Sequence, residues 1–152
     1  AGGGLTLATL QAIREAGLPQ PAGAVLFSPW ADLSDGLEVR NPDVGVDYIT
    51  MRGGDRIAGR YAGALDRHDW RVSPLLGDLT GLCPMLCIAG GDETIVRDSE
   101  RLETRARAAG VKVHLHVEPG EVHVYPAFAP INPRGQVAMG RVGQWITERL
   151  AG

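Results

Sequence analysis

The spacing of apolar residues along the chain predicts three β-strands. Residues 24–27 and 84–89 are short, continuous apolar runs, as in parallel strands that other elements cover on both faces. Residues 111–118 alternate instead, with valine and leucine on one side and lysine, histidine and glutamate on the other. One apolar and one polar face indicate that this third strand lies at or near an edge of the sheet.

Apolar residues at helical spacing predict helices before, between and after these strands. One helix covers residues 5–16, a second begins near Asp98 or Ser99 and ends at Gly110, and the last follows Pro133. Alternating helices and strands are typical of a parallel sheet with helices on both faces. The fold class is therefore expected to be α/β, with a mostly parallel sheet.

Residues 33–74 are the part of the chain least like a sheet, and we expect a helical insertion there that forms a cap or lid. Insertions over the carboxyl edge of a sheet commonly shape a substrate site. Three strands, two of them apolar on both faces, would leave a long unpaired hydrophobic edge if they formed a domain alone. Residues 1–152 are therefore expected to be the C-terminal part of one larger domain.

Composition and charge exclude several classes of protein. The chain is 44% hydrophobic and 22% charged with a net charge of −3, which argues against a nucleic-acid-binding surface. No apolar run approaches the roughly 18 residues that a membrane span requires. Cys83 and Cys87 lie four positions apart on a predicted strand, too far from each other to form a disulfide. Two buried thiols favour a reducing compartment, so we predict a cytoplasmic location.

Two residues with catalytic potential follow two neighbouring predicted strands. Asp92 comes just after the second strand and His123 comes shortly after the third. Because loops beyond the carboxyl ends of parallel strands form sites, we expect His123 to act as a general base and Asp92 to orient it. Asp98 is the alternative acid, although it fits better as a helix cap or as a carboxylate that supports the site without touching the substrate, and Glu93 is assigned a structural role.

Several short motifs occur in a specific order over nearly the whole chain. They are Ala1-Gly2-Gly3, Ser28-Pro29-Trp30-Ala31-Asp32-Leu33, Ser73-Pro74-Leu75, Gly91-Asp92-Glu93, the run from Arg105 to Val111, and His123 with Phe128 after it. In this order they resemble the C-terminal half of α/β-hydrolases of the hormone-sensitive-lipase-like group, the bacterial family IV esterases. The resemblance implies a serine carboxylesterase that cleaves short-chain esters or lactones through an acyl-enzyme, without a cofactor.

The resemblance also implies a role for each candidate site residue. The nucleophile elbow of the family reads G-D-S-A-G-G, so the nucleophilic serine is expected immediately before Ala1. Ala1 would then donate its backbone N–H to the oxyanion hole, Asp92 and His123 would complete the triad, and Trp30 and Val124 would line the substrate pocket. An N-terminal half of the enzyme, as a separate chain or a missing segment, is the expected partner. By analogy with the family, a homodimer is also expected.

Two features depart from the family pattern or lie outside the sequence. The oxyanion motif H-G-G-G of the family lies far upstream of the region seen here. Val124 and Tyr125 follow the histidine, where the family usually has Gly-Phe or Val-Phe. The second departure leaves His123 in place and could alter the wall of the pocket.

Three other interpretations are considered. A non-catalytic protein that binds small molecules on the same fold is the main alternative, and the presence of both Asp92 and His123 argues against it. Ala1-Gly2-Gly3-Gly4 before a helix suggests a nucleotide site, but there is no G-x-G-x-x-G motif or P-loop lysine. His114 and His116 share one strand face without an evident third ligand, so no metal site is predicted.

Overall fold

The computed structural model describes residues 2–34, 36–37, 42 and 45–151, which form alternating helices and strands. The helices are α1 (Gly2–Glu15), α2 (Gly54–Ala62), α3 (Val96–Ala108) and α4 (Pro133–Leu150), and the strands are β1 (Ala24–Phe27), β2 (Met85–Gly90) and β3 (Val113–Glu118). Short 3-10 helices cover Pro74–Leu76 and Tyr125–Phe128. Within these described ranges, no helix has both the length and the apolar character that crossing a membrane requires.

The three strands form one parallel sheet in the order β1-β2-β3. Leu26 of β1 lies opposite Cys87 of β2, and Cys87 lies opposite Leu115 of β3. All six residues of β2 are buried, whereas β3 is only partly buried after its first residue. The predicted strands, their parallel arrangement and the edge position of the alternating strand are therefore confirmed.

Helices cover both faces of the sheet, as the alternating pattern predicted. The first face packs against α1 and α3, whose core residues are Leu7, Leu10, Leu102 and Ala106. The second face packs against α4 through Ala138, Val142 and Trp145. Because β2 contributes side chains to both cores, its apolar run is continuous and its carboxyl end lies at the centre of the site.

The region between β1 and β2 has a small core of its own, which includes helix α2. This core contains Leu33, Leu37, Met51, Ala58, Ala62, Val72 and Ile95. Ile95 immediately precedes α3, so the insertion packs against the loop that follows β2. The insertion is thereby held next to the carboxyl edge of the sheet.

Glycines allow loops at this edge to approach one another closely. A Cβ atom on Gly4 would lie 2.2 Å from the carbonyl oxygen of Trp30, so the start of α1 packs directly on the loop after β1. A Cβ atom on Gly90 would lie 2.3 Å from the carbonyl oxygen of Glu121, so the loop after β3 crosses the end of β2. At both glycines a neighbouring backbone comes so close that a residue with a side chain would collide with it.

Candidate active site

His123 lies in the loop after β3, and its side chain is almost completely buried, with the residue 9% exposed. Its backbone N–H donates to Asp47 Oδ1 at 3.1 Å, and its carbonyl oxygen accepts from the Tyr48 hydroxyl at 2.8 Å. Burial lowers the pKa of His123, while the Asp47 carboxylate opposes this shift. The imidazole is therefore neutral at pH 7, the form that can accept a proton.

Glu93 is the carboxylate that the structure brings to His123. Its residue is fully buried, and its Oε2 atom lies 3.8 Å from His123 Nδ1. Among the described residues, Glu93 Oε1 and His123 Nδ1 are both buried without a hydrogen-bond partner. Two unpaired polar atoms on adjacent buried groups indicate that a small approach would join them by an Nδ1–H···O hydrogen bond.

Two hydrogen bonds hold the Glu93 carboxylate in its buried position. The Ser28 hydroxyl donates to Oε2 at 2.5 Å, and the backbone N–H of Gly90 donates to the same oxygen at 3.1 Å. Burial raises the pKa of Glu93 to about 7, and the hydrogen bonds from Ser28 and Gly90 oppose that rise. The site thus favours the neutral carboxyl unless a positive charge develops beside it.

Asp92 is not brought to His123, contrary to the sequence prediction. Its side chain is exposed, and in the described part of the chain its carboxylate has no hydrogen bond or ion pair. Only its backbone is anchored, because its N–H donates to the carbonyl oxygen of Glu121 at 3.0 Å. The neighbouring Glu93, for which a structural role was predicted, is instead buried with its carboxylate beside His123, whereas Asp92 is exposed.

Asp98, the alternative acid, accepts hydrogen bonds from the loop after β1. Its Oδ2 atom accepts from the backbone N–H groups of Ala31 at 2.9 Å and Asp32 at 3.0 Å. Burial raises the pKa of Asp98 to about 6, and the two backbone hydrogen bonds oppose this. Its position within α3, rather than at a cap, lets it fix the loop that carries Trp30.

Ser28 connects all three loops at the carboxyl edge, and sequence reasoning missed this role. It follows β1 directly, with a left-handed φ of 43°. Its hydroxyl donates to Glu93 after β2 and accepts from the Val124 N–H after β3 at 3.0 Å. A serine followed by proline at the end of an apolar strand was the signal available in the sequence.

A cavity of about 400 Å³ opens beside His123. Its lining consists of Trp30, Tyr48, Ile49, Thr50, Met51, Arg52, Gly54, Ile57, Ile95 and His123. Trp30 and Ile57 also border a second, largely apolar cavity of about 90 Å³. Trp30, predicted to line the substrate pocket, thus borders both cavities, whereas Val124 borders neither and donates its backbone N–H to Ser28.

The sequence pattern of the α/β-hydrolase fold matches residues 1–127. The chain belongs to the α/β-hydrolase family. An acetyl-hydrolase from Streptomyces hygroscopicus is 38% identical over 150 residues, an alignment that covers 96% of this chain and 49% of the relative. The chain therefore spans about half the length of the curated relatives it matches.

Solved structures of α/β-hydrolases superimpose closely on the chain. The structure of EstE5 has a TM-score of 0.89 at 39% identity, over 100% of this chain and 51% of its own. An esterase from the bacterial hormone-sensitive lipase family has a TM-score of 0.92 at 39% identity, over 98% of this chain and 50% of its own. The resemblance to the C-terminal half of these hydrolases is confirmed.

Two remaining predictions concern the oxyanion hole and metal binding. Ala1, the expected α/β-hydrolase oxyanion donor, lies outside the described residues. Across the ranges that the structure describes, no group of three or more His, Cys, Asp or Glu side chains could hold a metal ion. Of the two strand histidines, His116 has Nε2 3.0 Å from Glu118 Oε2 and Nδ1 3.3 Å from Arg141 Nη1.

Proposed function

We propose that the protein that carries this chain is a serine carboxylesterase of the hormone-sensitive-lipase-like group. The observation that carries this proposal is the buried pair of His123 and Glu93 at the carboxyl edge of the sheet, beside a cavity of about 400 Å³. A neutral histidine with a buried carboxylate on its Nδ1 side is the arrangement that general-base catalysis requires. The names of the relatives, which are esterases and acetyl-hydrolases, support the same reaction class.

The proposed reaction has two halves that share one base. A serine before Ala1 attacks the ester carbonyl while His123 Nε2 takes the hydroxyl proton, and the same nitrogen then returns it to the departing alcohol. The acyl group remains on the serine. Water then attacks this acyl-enzyme, giving its proton to His123, which passes it to the serine as the acid departs. The Ala1 N–H would stabilise the oxyanion in both halves.

In this proposal Glu93 takes the role that the sequence assigned to Asp92. When His123 accepts a proton, the adjacent carboxylate is stabilised in its ionised form by the imidazolium. Burial makes that mutual stabilisation strong, because little water screens the pair. Asp92 lies in solvent and lacks this contact, so it is left without a catalytic role.

The cavity supports small esters as substrates. Its volume lies in the range of small-molecule sites, and its lining mixes apolar side chains with the polar His123. We propose that the acyl and alcohol parts of the ester lie against Trp30 and Ile57, which border both cavities. Lactones fit the same chemistry, since they are internal esters. The homodimer and the cytoplasmic location stay predictions.

The test uses the natural protein, including any segment that precedes Ala1. Hydrolysis of p-nitrophenyl acetate is measured for the wild type and for H123A, E93Q and D92N. We expect H123A and E93Q each to lower kcat by about 10⁴-fold, as loss of a triad member does. The surface variant D92N should stay within about twofold of wild type, like most exposed substitutions.

Labelling with a fluorophosphonate and peptide mapping complete the test. A label on the serine joined to Ala1 would identify the nucleophile. Absence of both turnover and label in the natural protein would refute the esterase proposal and favour a small-molecule-binding protein. A large loss of activity in D92N with little loss in E93Q would return the acid role to Asp92.

A further inference from the structure

We propose that Asp47 is a positioning residue. It lies outside the loops that carry His123 and Glu93, and it holds the proposed base and acid at a fixed distance from each other. The inference rests on the proposed function, because it concerns the alignment of His123 and Glu93. Asp47 belongs to the insertion between β1 and β2, and sequence reasoning gave it no role.

The Asp47 carboxylate bridges the two loops with one oxygen for each. Its Oδ1 atom accepts from the backbone N–H of His123 at 3.1 Å, and its Oδ2 atom accepts from the backbone N–H of Thr94 at 2.9 Å. Thr94 is the residue directly after Glu93. Because a carboxylate is rigid and planar, the two contacts fix the separation between the backbone of the base and the backbone beside the acid.

Two further hydrogen bonds reinforce the bridge from neighbouring residues of the same segment. The Tyr48 hydroxyl donates to the His123 carbonyl oxygen at 2.8 Å, and the Thr94 hydroxyl donates to the Ile49 carbonyl oxygen at 2.8 Å. Tyr48 is 57% exposed, and its ring also meets the His123 ring edge-on, with the ring centroids 6.0 Å apart. Residues 47–49 therefore form a clasp, which ties each catalytic loop to the insertion at two points.

The clasp also joins catalysis to substrate binding. Tyr48 and Ile49 line the cavity beside His123, so the wall that meets the substrate and the groups that align the base belong to one segment. The negative charge of Asp47 raises the pKa of His123 against the effect of burial. The Asp47 carboxylate, which accepts the His123 N–H, thus stabilises the imidazolium, while Glu93 Oε2 lies 3.8 Å from Nδ1.

The experiment replaces Asp47 with asparagine in the full natural protein. Asparagine keeps the shape but has one oxygen instead of two and no charge, so at least one loop loses its acceptor. Loss of a hydrogen bond to a charged group predicts a fall in kcat/KM of roughly tenfold to a hundredfold, mostly in kcat. The matched control is D55N, since Asp55 lies in the same insertion and pairs with Arg67.

Two measurements separate alignment from a general loss of stability. Titration of the imidazole by NMR should give a lower pKa for His123 in D47N than in D55N or wild type. Amide hydrogen exchange at His123 and Thr94 should be faster in D47N alone. A merely structural role would lower the melting temperature without moving the pKa of His123, and that result would overturn the inference.

A second variant covers the case in which D47N does not fold. Y48F removes only the hydroxyl that donates to the His123 carbonyl, and we expect a several-fold fall in kcat with faster exchange at His123. Wild-type kinetics and exchange in Y48F would overturn the inference. The NMR and exchange measurements need no turnover, so an inactive wild type refutes the proposed function while these two readouts still decide the role of Asp47.

Discussion

The hydroxyl of Ser28 lies 2.5 Å from Glu93 Oε2, and it is the link between the loop after β1 and the buried carboxylate. The same hydroxyl accepts the Val124 N–H, so it orients its proton toward Glu93. Ser28 is itself buried, and no water is needed to satisfy the carboxylate oxygen. The hydrogen bond therefore favours the ionised form of Glu93 at a position where burial disfavours it.

Removal of this hydroxyl should shift the pH dependence of the reaction. In S28A the hydrogen bond that lowers the pKa of Glu93 is lost, so its pKa should rise above the value of about 7 in the wild type. Because the proposed mechanism uses ionised Glu93, the acid limb of the kcat/KM profile should move to higher pH. Activity below pH 7 should fall more than activity at pH 9. T147A, which removes an exposed hydroxyl on α4, should leave the profile unchanged.

Neutralisation of Glu93 should stabilise the protein in alkaline solution. The pKa of Glu93 is raised by burial from its ordinary 4.5 to about 7, so the folded state binds this proton more tightly than the unfolded chain. This contribution to stability is complete below about pH 4.5 and is lost as pH rises through about 7. E93Q should therefore exceed wild type by up to about 3 kcal/mol at pH 8.

Denaturant unfolding of E93Q and wild type at pH 5 and pH 8 checks this expectation. The difference in the free energy of unfolding should be much smaller at pH 5, where wild-type Glu93 is protonated in the folded state. An equal difference at both pH values would show that glutamine acts through packing or hydrogen bonding rather than through ionisation.

An alanine at Gly90 should displace the loop that carries His123. The added Cβ atom would lie 2.3 Å from the Glu121 carbonyl oxygen and 2.5 Å from that of Val122. Such overpacking against backbone costs about 1–3 kcal/mol, and movement of the loop should also abolish ester hydrolysis. G140A, at an open position on α4, should instead stabilise by about 0.5–1 kcal/mol. Equal activity of the two variants would contradict the proposed packing.

A smaller side chain at Trp30 should change the preference for acyl length. Trp30 borders both cavities, so W30L would enlarge and connect the space beside His123. The ratio of kcat/KM for p-nitrophenyl octanoate to that for acetate should rise by roughly tenfold, because each methylene bound in an apolar pocket contributes to specificity. W70L removes the same volume outside both cavities and should keep the wild-type ratio. An unchanged ratio in W30L would exclude Trp30 from the acyl path.

The sequence predicted the elements of the fold and one member of the proposed catalytic pair. His123 could be found because it follows a strand, and the position of a loop residue beyond a strand end is a local property. The local sequence could not distinguish Asp92 from Glu93 as the acid. Adjacent carboxylates in one loop differ only in which of them the fold buries. Burial here depends on Ser28, which is 65 positions away from Glu93 in the chain.

Asp47 is a second residue whose role could not be predicted from the local sequence. Residues 45–49 belong to the stretch expected to be helical, whereas the structure has bends there, and nothing in their pattern pointed to a partner in the site. Its role arises from partners 47 and 76 positions away, on two different loops. Such relationships follow from the assembled sheet and are absent from the local pattern.

These long-range contacts have a consequence for folding kinetics. Val124 and Ser28 are 96 positions apart, and Asp47 and His123 are 76 positions apart, so the geometry of the proposed site depends on closing very large loops of the chain. Contacts of high sequence separation form late, because their loop-closure entropy must be offset by other structure first. During refolding of the natural protein, the helical circular dichroism signal should therefore recover before esterase activity does. The resistance of the insertion to proteolysis should return slowly, at the same rate as the activity.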